Sequence, residues 1–170
     1  MILSADVSNQ DDMKQAIEKA KSRFGSINGV IHAAGVADYL GIMMNREKES
    51  NNKILAPKIK GTLVLDALLK DEPIDFFVLC SSIGNVAYHM KFGQSGYNAA
   101  NEFLDAFAFY KRAHDGVFTV AINWPDWQEV GMSLKSAEIW AKQFNMDMES
   151  VLHDGVTVEE GLKVFRSIIN

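Results

Sequence analysis

The sequence contains a single cysteine, Cys80, among its 170 residues. One thiol cannot form an intrachain disulfide, so the fold does not depend on an oxidising compartment. The longest apolar runs fall far short of the roughly 20 residues that cross a bilayer as a helix. The sequence does not open with the basic and then apolar pattern of a signal peptide. We therefore expect a soluble, cytoplasmic protein.

Long runs of positive charge are also absent. The formal net charge is -5 at pH 7, and the 17 lysines and arginines are dispersed along the chain. Because nucleic acids and anionic membranes attract clustered basic residues, this distribution argues against both as partners. His89, His114 and His153 show no metal-like spacing with carboxylates or with Cys80, so we expect no metal site.

Glycine is missing from the first 24 residues, since the first glycine is Gly25. In dinucleotide-binding α/β folds, a glycine-rich turn between the first strand and the first helix holds the cofactor pyrophosphate. If this chain has such a fold, we expect that the segment carrying the turn lies upstream of it.

Short apolar runs alternate with amphipathic segments, which predicts an α/β layered fold. Helical spacing recurs in four segments: after a cap at Ser8 or Asn9, over about Asn45–Lys70 with an interruption or change of direction near Pro57, over Asn98–His114, and after a capping box at Thr157. Three apolar runs predict buried strands, namely "NGVIHAAG", "IDFFVLCSS" and "VFTVAINW". Crossovers this long join parallel strands. We therefore predict one partial domain over residues 1–170, a Rossmann-like parallel sheet with helices on both faces that lacks the N-terminal βαβ half.

Residues 32–35, 81–82 and 123–124 lie at the carboxyl ends of the three predicted strands. In open parallel sheets, ligands bind beyond the carboxyl ends of the strands. We therefore expect the functional site at this edge.

Tyr97 and Asn101 lie one helical turn apart on the same face of a predicted helix. A free phenol has a pKa near 10, so it donates a proton at neutral pH only where a nearby cation stabilises the phenolate. A hydroxyl at a strand end, such as that of Ser82, is suited to hold a carbonyl oxygen as it gains negative charge. No basic residue sits four positions after Tyr97, so the cation must come from elsewhere.

Five motifs, in order, resemble those of ketoreductase domains from modular polyketide synthases, a branch of the short-chain dehydrogenase/reductase superfamily. They are "HAAG", "APKIKG", "DFFVLCSSIGN", "GYNAANEFLDA" and "INWPDW". The resemblance runs from about Asp6 to Met132 and continues more weakly to the end. It implies NADPH-dependent reduction of a β-ketoacyl thioester carried on an acyl carrier protein, with the rest of the synthase or the missing N-terminal half of the domain as partner.

The resemblance also implies residue roles. Lys58, which follows Pro57 in the motif, would supply the cation for Tyr97 and bind the nicotinamide ribose. Ser82 would hold the carbonyl, Tyr97 would act as the acid, and Asn101 would take the place after the tyrosine. The residues expected to contact the cofactor are Asp6, Val7, Ala33, Ala34, Gly35, Lys58 and Tyr97. Residues 131–148 resemble a lid over the substrate.

Four departures from the family pattern bear on function. The cofactor-phosphate loop and a last strand are absent from this chain, and the Ser82–Tyr97 segment is about two residues longer than usual, through "AYHMK". The Leu-Asp-Asp signature of one product stereochemistry reads Ala37-Asp38-Tyr39, so the motif assigns no handedness. Because backbone N–H groups supply much of the pyrophosphate affinity, we predict that the chain alone binds NADPH poorly.

Two other functions stay open at this stage. One is a non-catalytic remnant of such a domain that docks with a neighbouring part of the synthase. The other is a truncated free-standing short-chain reductase, although that type would place lysine at position 101, where this chain has Asn101.

Overall fold

The computed structural model describes residues 1–87 and 93–169, apart from the side chains of residues 140, 143 and 144. Its contacts divide the chain into two compact units, Met1–Asn123 and Trp124–Asn170. The prediction of one domain over residues 1–170 stays a prediction. The helices are α1 (Gln10–Phe24), α2 (Lys48–Leu68), α3 (Ser95–Asp115), α4 (Met132–Phe144), α5 (Met148–Leu152) and α6 (Val158–Ile169). The strands are β1 (Gly29–His32), β2 (Phe76–Ser82) and β3 (Phe118–Trp124).

The strands form a parallel sheet in the order β1-β2-β3. Strand β1 pairs with β2 in the register Gly29 to Phe76 through His32 to Leu79. Each strand therefore ends among the residues from which the sequence predicted the functional edge, and the Rossmann-like fold class is confirmed.

Helix α1 begins and ends where the sequence predicts. The Asn9 side chain accepts hydrogen bonds from the backbone N–H groups of Asp11 and Asp12, which an N-terminal turn otherwise leaves unpaired. Gly25, at φ 86°, ends the helix in a conformation that favours glycine.

Of the two alternatives predicted near Pro57, the interruption is wrong, because α2 runs through Pro57 as one helix. The change of direction stays a prediction. Proline removes one N–H from the helical ladder and usually breaks a helix interior. Here the buried side of α2, which includes Ile54, Lys58 and Val64, packs on both sides of the proline. Tertiary packing therefore holds the helix together across the lost hydrogen bond.

The core of the first unit lies between β2 and helices α2 and α3. Phe77 and Leu79 are fully buried against Leu65, Leu104 and Phe107, and the rings of Phe77 and Phe107 lie 6.3 Å apart. On β1, the opposite face is open, since 54% of Ile31 is exposed. The core thus fixes α2 and α3 over one face of the sheet, with their functional residues near its carboxyl edge.

The second unit contains α4, α5 and α6. Trp127 lies against Gly161 of α6, where a Cβ atom would stand 2.3 Å from the indole ring. The rings of Trp127 and Trp124 are in tilted contact, with centroids 5.0 Å apart and an angle of 60° between their planes. The predicted capping box is present, since the Glu160 N–H donates to Thr157 Oγ1 and the Thr157 N–H donates to Glu160 Oε2. The predicted lid segment 131–148 contains α4, and its role as a lid stays a prediction.

Candidate functional site

Lys58 lies in the middle of α2, above the carboxyl end of β2. Its side chain is buried, with 3% of the residue exposed. The ammonium donates a hydrogen bond of 2.6 Å to the carbonyl oxygen of Cys80. The lysine therefore points toward the carboxyl end of β2 rather than into solvent, as its predicted role as the cation for Tyr97 requires.

Tyr97, in the first turn of α3, lies next to this ammonium. Lys58 Nζ is 5.6 Å from the centroid of the Tyr97 ring, a distance at which a cation is attracted to an aromatic ring. Two different helices thus bring together the pair that the sequence linked only by resemblance.

Burial lowers the pKa of Lys58 from its ordinary value of 10.5 to about 8. Removing the ammonium from water disfavours its charged form. Cys80 and Asp105 oppose this change through charge interactions and offset only part of it. Lys58 therefore carries a proton at neutral pH, but one that it loses far more readily than a solvated lysine.

Asn101 is fully buried one turn after Tyr97. Its amide nitrogen donates a 2.8 Å hydrogen bond to the backbone oxygen of Tyr97, which fixes the orientation of the amide. Its Oδ1 has no hydrogen-bond partner among residues 1–87 and 93–169. A buried oriented acceptor of this kind suits a donor from a ligand or a water.

Ser82 is the last residue of β2 and is 3% exposed. Its hydroxyl accepts a 3.2 Å hydrogen bond from the Gly84 N–H and begins the short 3₁₀ turn Ile83–Asn85. The adjacent Ser81 hydroxyl donates to the backbone oxygen of Asn101 at 3.3 Å, which joins the end of β2 to α3. The insertion predicted between Ser82 and Tyr97 falls partly on residues 88–92, outside the described residues.

The residues predicted to contact the cofactor lie in two places. Ala33, Ala34 and Gly35 follow β1 at the same edge as Lys58, and the two alanines are exposed.

Asp6 and Val7 precede α1, where Asp6 Oδ1 accepts hydrogen bonds from the N–H and hydroxyl of Ser8. These bonds lower the pKa of Asp6. The side chain of Val7 fills the space above Gly61 of α2. Cofactor contact by all five stays a prediction.

His32 ends β1 and is 3% exposed. Burial and the charge of Lys58 lower its pKa to about 4, against the opposing effect of Pro57. Nε2 lies 3.1 Å from the carbonyl oxygen of Pro57. A carbonyl only accepts, so the neutral ring carries its hydrogen on Nε2. His32 thus connects β1 to the turn of α2 that bears Lys58.

A partly buried polar cluster around Asp105 of α3 was not predicted from the sequence. Asp105 Oδ2 accepts hydrogen bonds from the amides of Asn85, at 2.7 Å, and Asn123, at 3.2 Å. The Asn85 amide also donates to Ser81 at 3.1 Å. Asp105 lies four residues after Asn101, so helical spacing offered a signal that placed both on one face.

A second missed pair is Asp38 and Arg46, from the segment between β1 and α2. Arg46 Nη1 lies 2.8 Å from Asp38 Oδ2, and both side chains are almost wholly buried. The sequence analysis treated Asp38 only as part of a stereochemical motif.

Membrane-spanning helices and metal sites are both absent from the described residues. None of the helices in residues 1–87 and 93–169 combines the length and the hydropathy that a bilayer span requires. Among the same residues, no group of three or more His, Cys, Asp and Glu side chains is placed to hold a metal ion.

Comparison with known proteins identifies a family. The model of the KR domain family matches residues 1–129. The chain is 36% identical over 169 residues to "Polyketide synthase PksM" of Bacillus subtilis (strain 168), covering 99% of this chain and 4% of that protein. It is 34% identical over 167 residues to "6-methylsalicylic acid synthase" of Aspergillus terreus (strain NIH 2624 / FGSC A1156), covering 98% and 9%.

A solved structure agrees with these relatives. The chain superimposes with a TM-score of 0.79 on an N-terminal ketoreductase from the macrolactin assembly line, at 32% sequence identity. The match covers 99% of this chain and 31% of the solved one. The chain therefore spans less than a tenth of the two synthases and about a third of the solved ketoreductase chain.

Proposed function

The chain belongs to the ketoreductase (KR) domain family of polyketide synthases, within the short-chain dehydrogenase/reductase superfamily, and on that premise we propose that it forms the catalytic part of such a domain. The proposed reaction is the reduction of a β-ketoacyl thioester, carried on an acyl carrier protein, to the β-hydroxyacyl thioester with NADPH. A cytoplasmic location stays a prediction.

One observation carries the proposal: the buried ammonium of Lys58 lies beside the ring of Tyr97 although the two residues belong to different helices. A cation close to a phenol favours the ionised form of that phenol. The geometry therefore supports Tyr97 as a general acid, with Lys58 taking the place of the missing lysine four residues after it.

The residues at the strand edge fit a nicotinamide cofactor in their chemistry. An ammonium has three N–H donors, and the Cys80 carbonyl takes one. The other two suit a ribose hydroxyl and the phenol of Tyr97. Ala33, Ala34 and Gly35 would pass along the cofactor, and Asp6 and Val7 would lie nearer its adenine. The bound cofactor would supply the hydride.

The protein's own groups would then hold the carbonyl and move one proton. The hydroxyl of Ser82 would donate a hydrogen bond to the carbonyl oxygen of the thioester substrate and stabilise the negative charge that develops there. Tyr97 would donate its phenolic proton to that oxygen as the carbonyl carbon is reduced. Lys58 would stabilise the phenolate left behind, and the buried Oδ1 of Asn101 would accept from a water that returns a proton.

The direct test is the oxidation of NADPH, followed by its absorbance, with a β-ketoacyl thioester as substrate. The protein is assayed as the 170-residue chain and with the N-terminal part of the macrolactin ketoreductase added in trans. We expect slow or undetectable turnover by the chain alone and substrate-dependent turnover with the added part. Tyr97→Phe should abolish that turnover, whereas Tyr110→Phe, an exposed tyrosine later on α3, should leave it unchanged. Full activity of the Tyr97→Phe protein would refute the assigned acid.

A further inference from the structure

The first turn of α3, which carries Tyr97, is capped by a residue from far away in the sequence. Its own N-cap residue, Gln94, makes no side-chain capping bond. Instead, Asp38 Oδ2 accepts hydrogen bonds from the backbone N–H groups of Gly96, at 3.0 Å, and Tyr97, at 3.2 Å. A carboxylate at a helix N-terminus satisfies unpaired N–H groups and interacts favourably with the helix dipole. The backbone of the proposed acid is therefore held directly by Asp38.

Asp38 is itself held on both oxygens. Its Oδ1 accepts from the Leu40 N–H at 3.1 Å, and its Oδ2 also pairs with Arg46 Nη1 at 2.8 Å. The carboxylate is fully buried and the guanidinium is 5% exposed. Charge-assisted hydrogen bonds of this kind are short and strong, so the carboxylate has little freedom to move.

Arg46 uses all three of its guanidinium nitrogens to join separate segments. Nε and Nη2 donate to the Gly41 oxygen at 3.1 and 2.8 Å, and Nη2 also donates to the Gly93 oxygen at 2.6 Å. Nη1 reaches Asn51 Oδ1, in the first turn of α2, at 3.3 Å. One side chain thus connects the segment after β1, the start of α2 and the residue just before α3.

Gly96 shows how closely this arrangement fits. A Cβ atom at position 96 would stand 2.6 Å from Asn51 Oδ1 and 3.2 Å from both Arg46 Nη1 and Asp38 Oδ2. A methyl group would therefore have to move the Asn51 amide and would press on both members of the ion pair. The start of α3 rests on the pair itself.

We propose that Asp38 and Arg46 are positioning residues for the reaction, which hold the first turn of α3 against α2 so that Tyr97 stays aligned with Lys58. This inference rests on the proposed function for its kinetic readout. Neither residue touches the reacting atoms in this role. Their effect passes through the backbone of Tyr97, so it falls on turnover rather than on cofactor affinity.

The test is chemical rescue of Arg46→Ala, in the assay with the N-terminal ketoreductase part present. Misplacement of a catalytic group by about 1 Å costs on the order of 10²-fold in rate, so we expect a kcat loss of that order with the KM for NADPH changed less than about threefold. Added guanidinium should restore kcat by at least about tenfold, because it refills the space left by the side chain. Arg46→Lys should retain intermediate activity, since lysine keeps the charge but not the planar fork of donors. Lys53→Ala, an exposed lysine on α2, should behave as wild type with or without guanidinium.

A second readout needs no turnover. Hydrogen exchange at the Gly96 and Tyr97 amides, measured by NMR in the ligand-free protein, should accelerate in Asp38→Ala and much less in Asp38→Asn, which keeps an acceptor oxygen. Amide exchange in Arg46→Ala should slow again when guanidinium is added. If the wild-type protein reduces no thioester with the N-terminal part present but exchange responds in this way, the proposed function fails, whereas the hold of Asp38 and Arg46 on the first turn of α3 stands. Unchanged exchange at both amides, or a kcat in Arg46→Ala equal to wild type, overturns the positioning role.

Discussion

Two buried lysines in the first unit have similar surroundings, but their pKa values are shifted in opposite directions. Lys58 on α2 is 3% exposed and Lys111 on α3 is 4% exposed. Each ammonium lies close to an aromatic ring, Lys58 at 5.6 Å from the centroid of Tyr97 and Lys111 at 5.7 Å from that of Phe77. Yet the pKa of Lys58 is lowered to about 8, whereas that of Lys111 is raised above its ordinary value.

The difference lies in the partners. Burial pushes the pKa of both lysines down. Lys111 is bonded to the carboxylates of Asp66 and Asp115, whose hydrogen bonds and charges more than offset the burial. Lys58 instead donates a hydrogen bond to the neutral carbonyl oxygen of Cys80. The charge of Lys111 is therefore balanced by two carboxylates, and this lysine ties α2 to α3. Lys58 keeps its positive charge beside the ring of Tyr97. A strongly shifted pKa such as that of Lys58 is common at functional sites.

The largest effect on kcat is expected from removing the positive charge of Lys58. Lys58→Met should lower kcat for the thioester by about 10²- to 10⁴-fold, the usual contribution of acid–base assistance. Thermal unfolding should occur at or above the wild-type temperature, because a poorly compensated buried charge is gone. Steady-state kinetics and a thermal melt measure both quantities. A kcat within about threefold of wild type would show that Tyr97 does not depend on this ammonium.

Replacing Lys111 should have the opposite effect, a loss of stability without a loss of activity. Lys111→Met leaves two carboxylates without their partner, and we expect a loss of about 1–3 kcal/mol in the free energy of unfolding. The partial exposure of Asp66 and Asp115 keeps the loss in this range. Denaturant titration checks the value, with Lys53→Met, from an exposed pair with Glu49, as the control. Activity per folded molecule should not change; a fall comparable to that of Lys58→Met would remove the contrast between the two sites.

The smallest effect concerns pH. Lys58 faces His32 of β1, Cys80 of β2 and Asp105 of α3, and it loses its proton as pH rises through about 8. We therefore expect kcat to fall above that pH, by up to about tenfold for each further unit. Asp105→Asn removes a charge that raises the pKa of Lys58, so the fall should begin at lower pH.

Asp66→Asn, the matched change beside Lys111, should leave the kcat profile in place. Stability should respond to pH with opposite signs at the two lysines. Between about 8 and 10.5 the unfolded chain holds more protons than the folded one at Lys58, so its contribution rises with pH. The raised pKa of Lys111 gives a contribution that is present below 10.5 and is lost as pH rises further. A kcat profile that is unchanged in Asp105→Asn would contradict the assigned electrostatic link.

The elements of the fold were largely predictable from the sequence because their signals are local. Asn9 and Gly25 bound α1 through capping, and Thr157 begins α6 in the same way. The strand ends followed from apolar runs whose length fits buried strands. The interruption predicted at Pro57 was wrong because a local rule for helix interiors was overridden by tertiary packing of the buried side of α2, which no window of sequence contains.

The site was predictable only in part. The spacing of Tyr97 and Asn101 is a helical signal, but the choice of Lys58 came from the family resemblance, since nothing local links residues 39 positions apart. Asp105 had a usable signal in its spacing from Asn101. Asp38 and Arg46 had none, because the ion pair between them and its bonds to the backbone at Gly93 and Tyr97 form only in the tertiary fold.

The hydrogen bond of His32 to the Pro57 carbonyl has a practical use. Because the imidazole stays neutral down to about pH 4, its own titration does not disturb its NMR signals across the physiological range. The nearby amine of Lys58 does titrate within reach of that range. The ring C–H protons of His32 are therefore a native reporter, through which the charge of the neighbouring lysine can be followed without mutation.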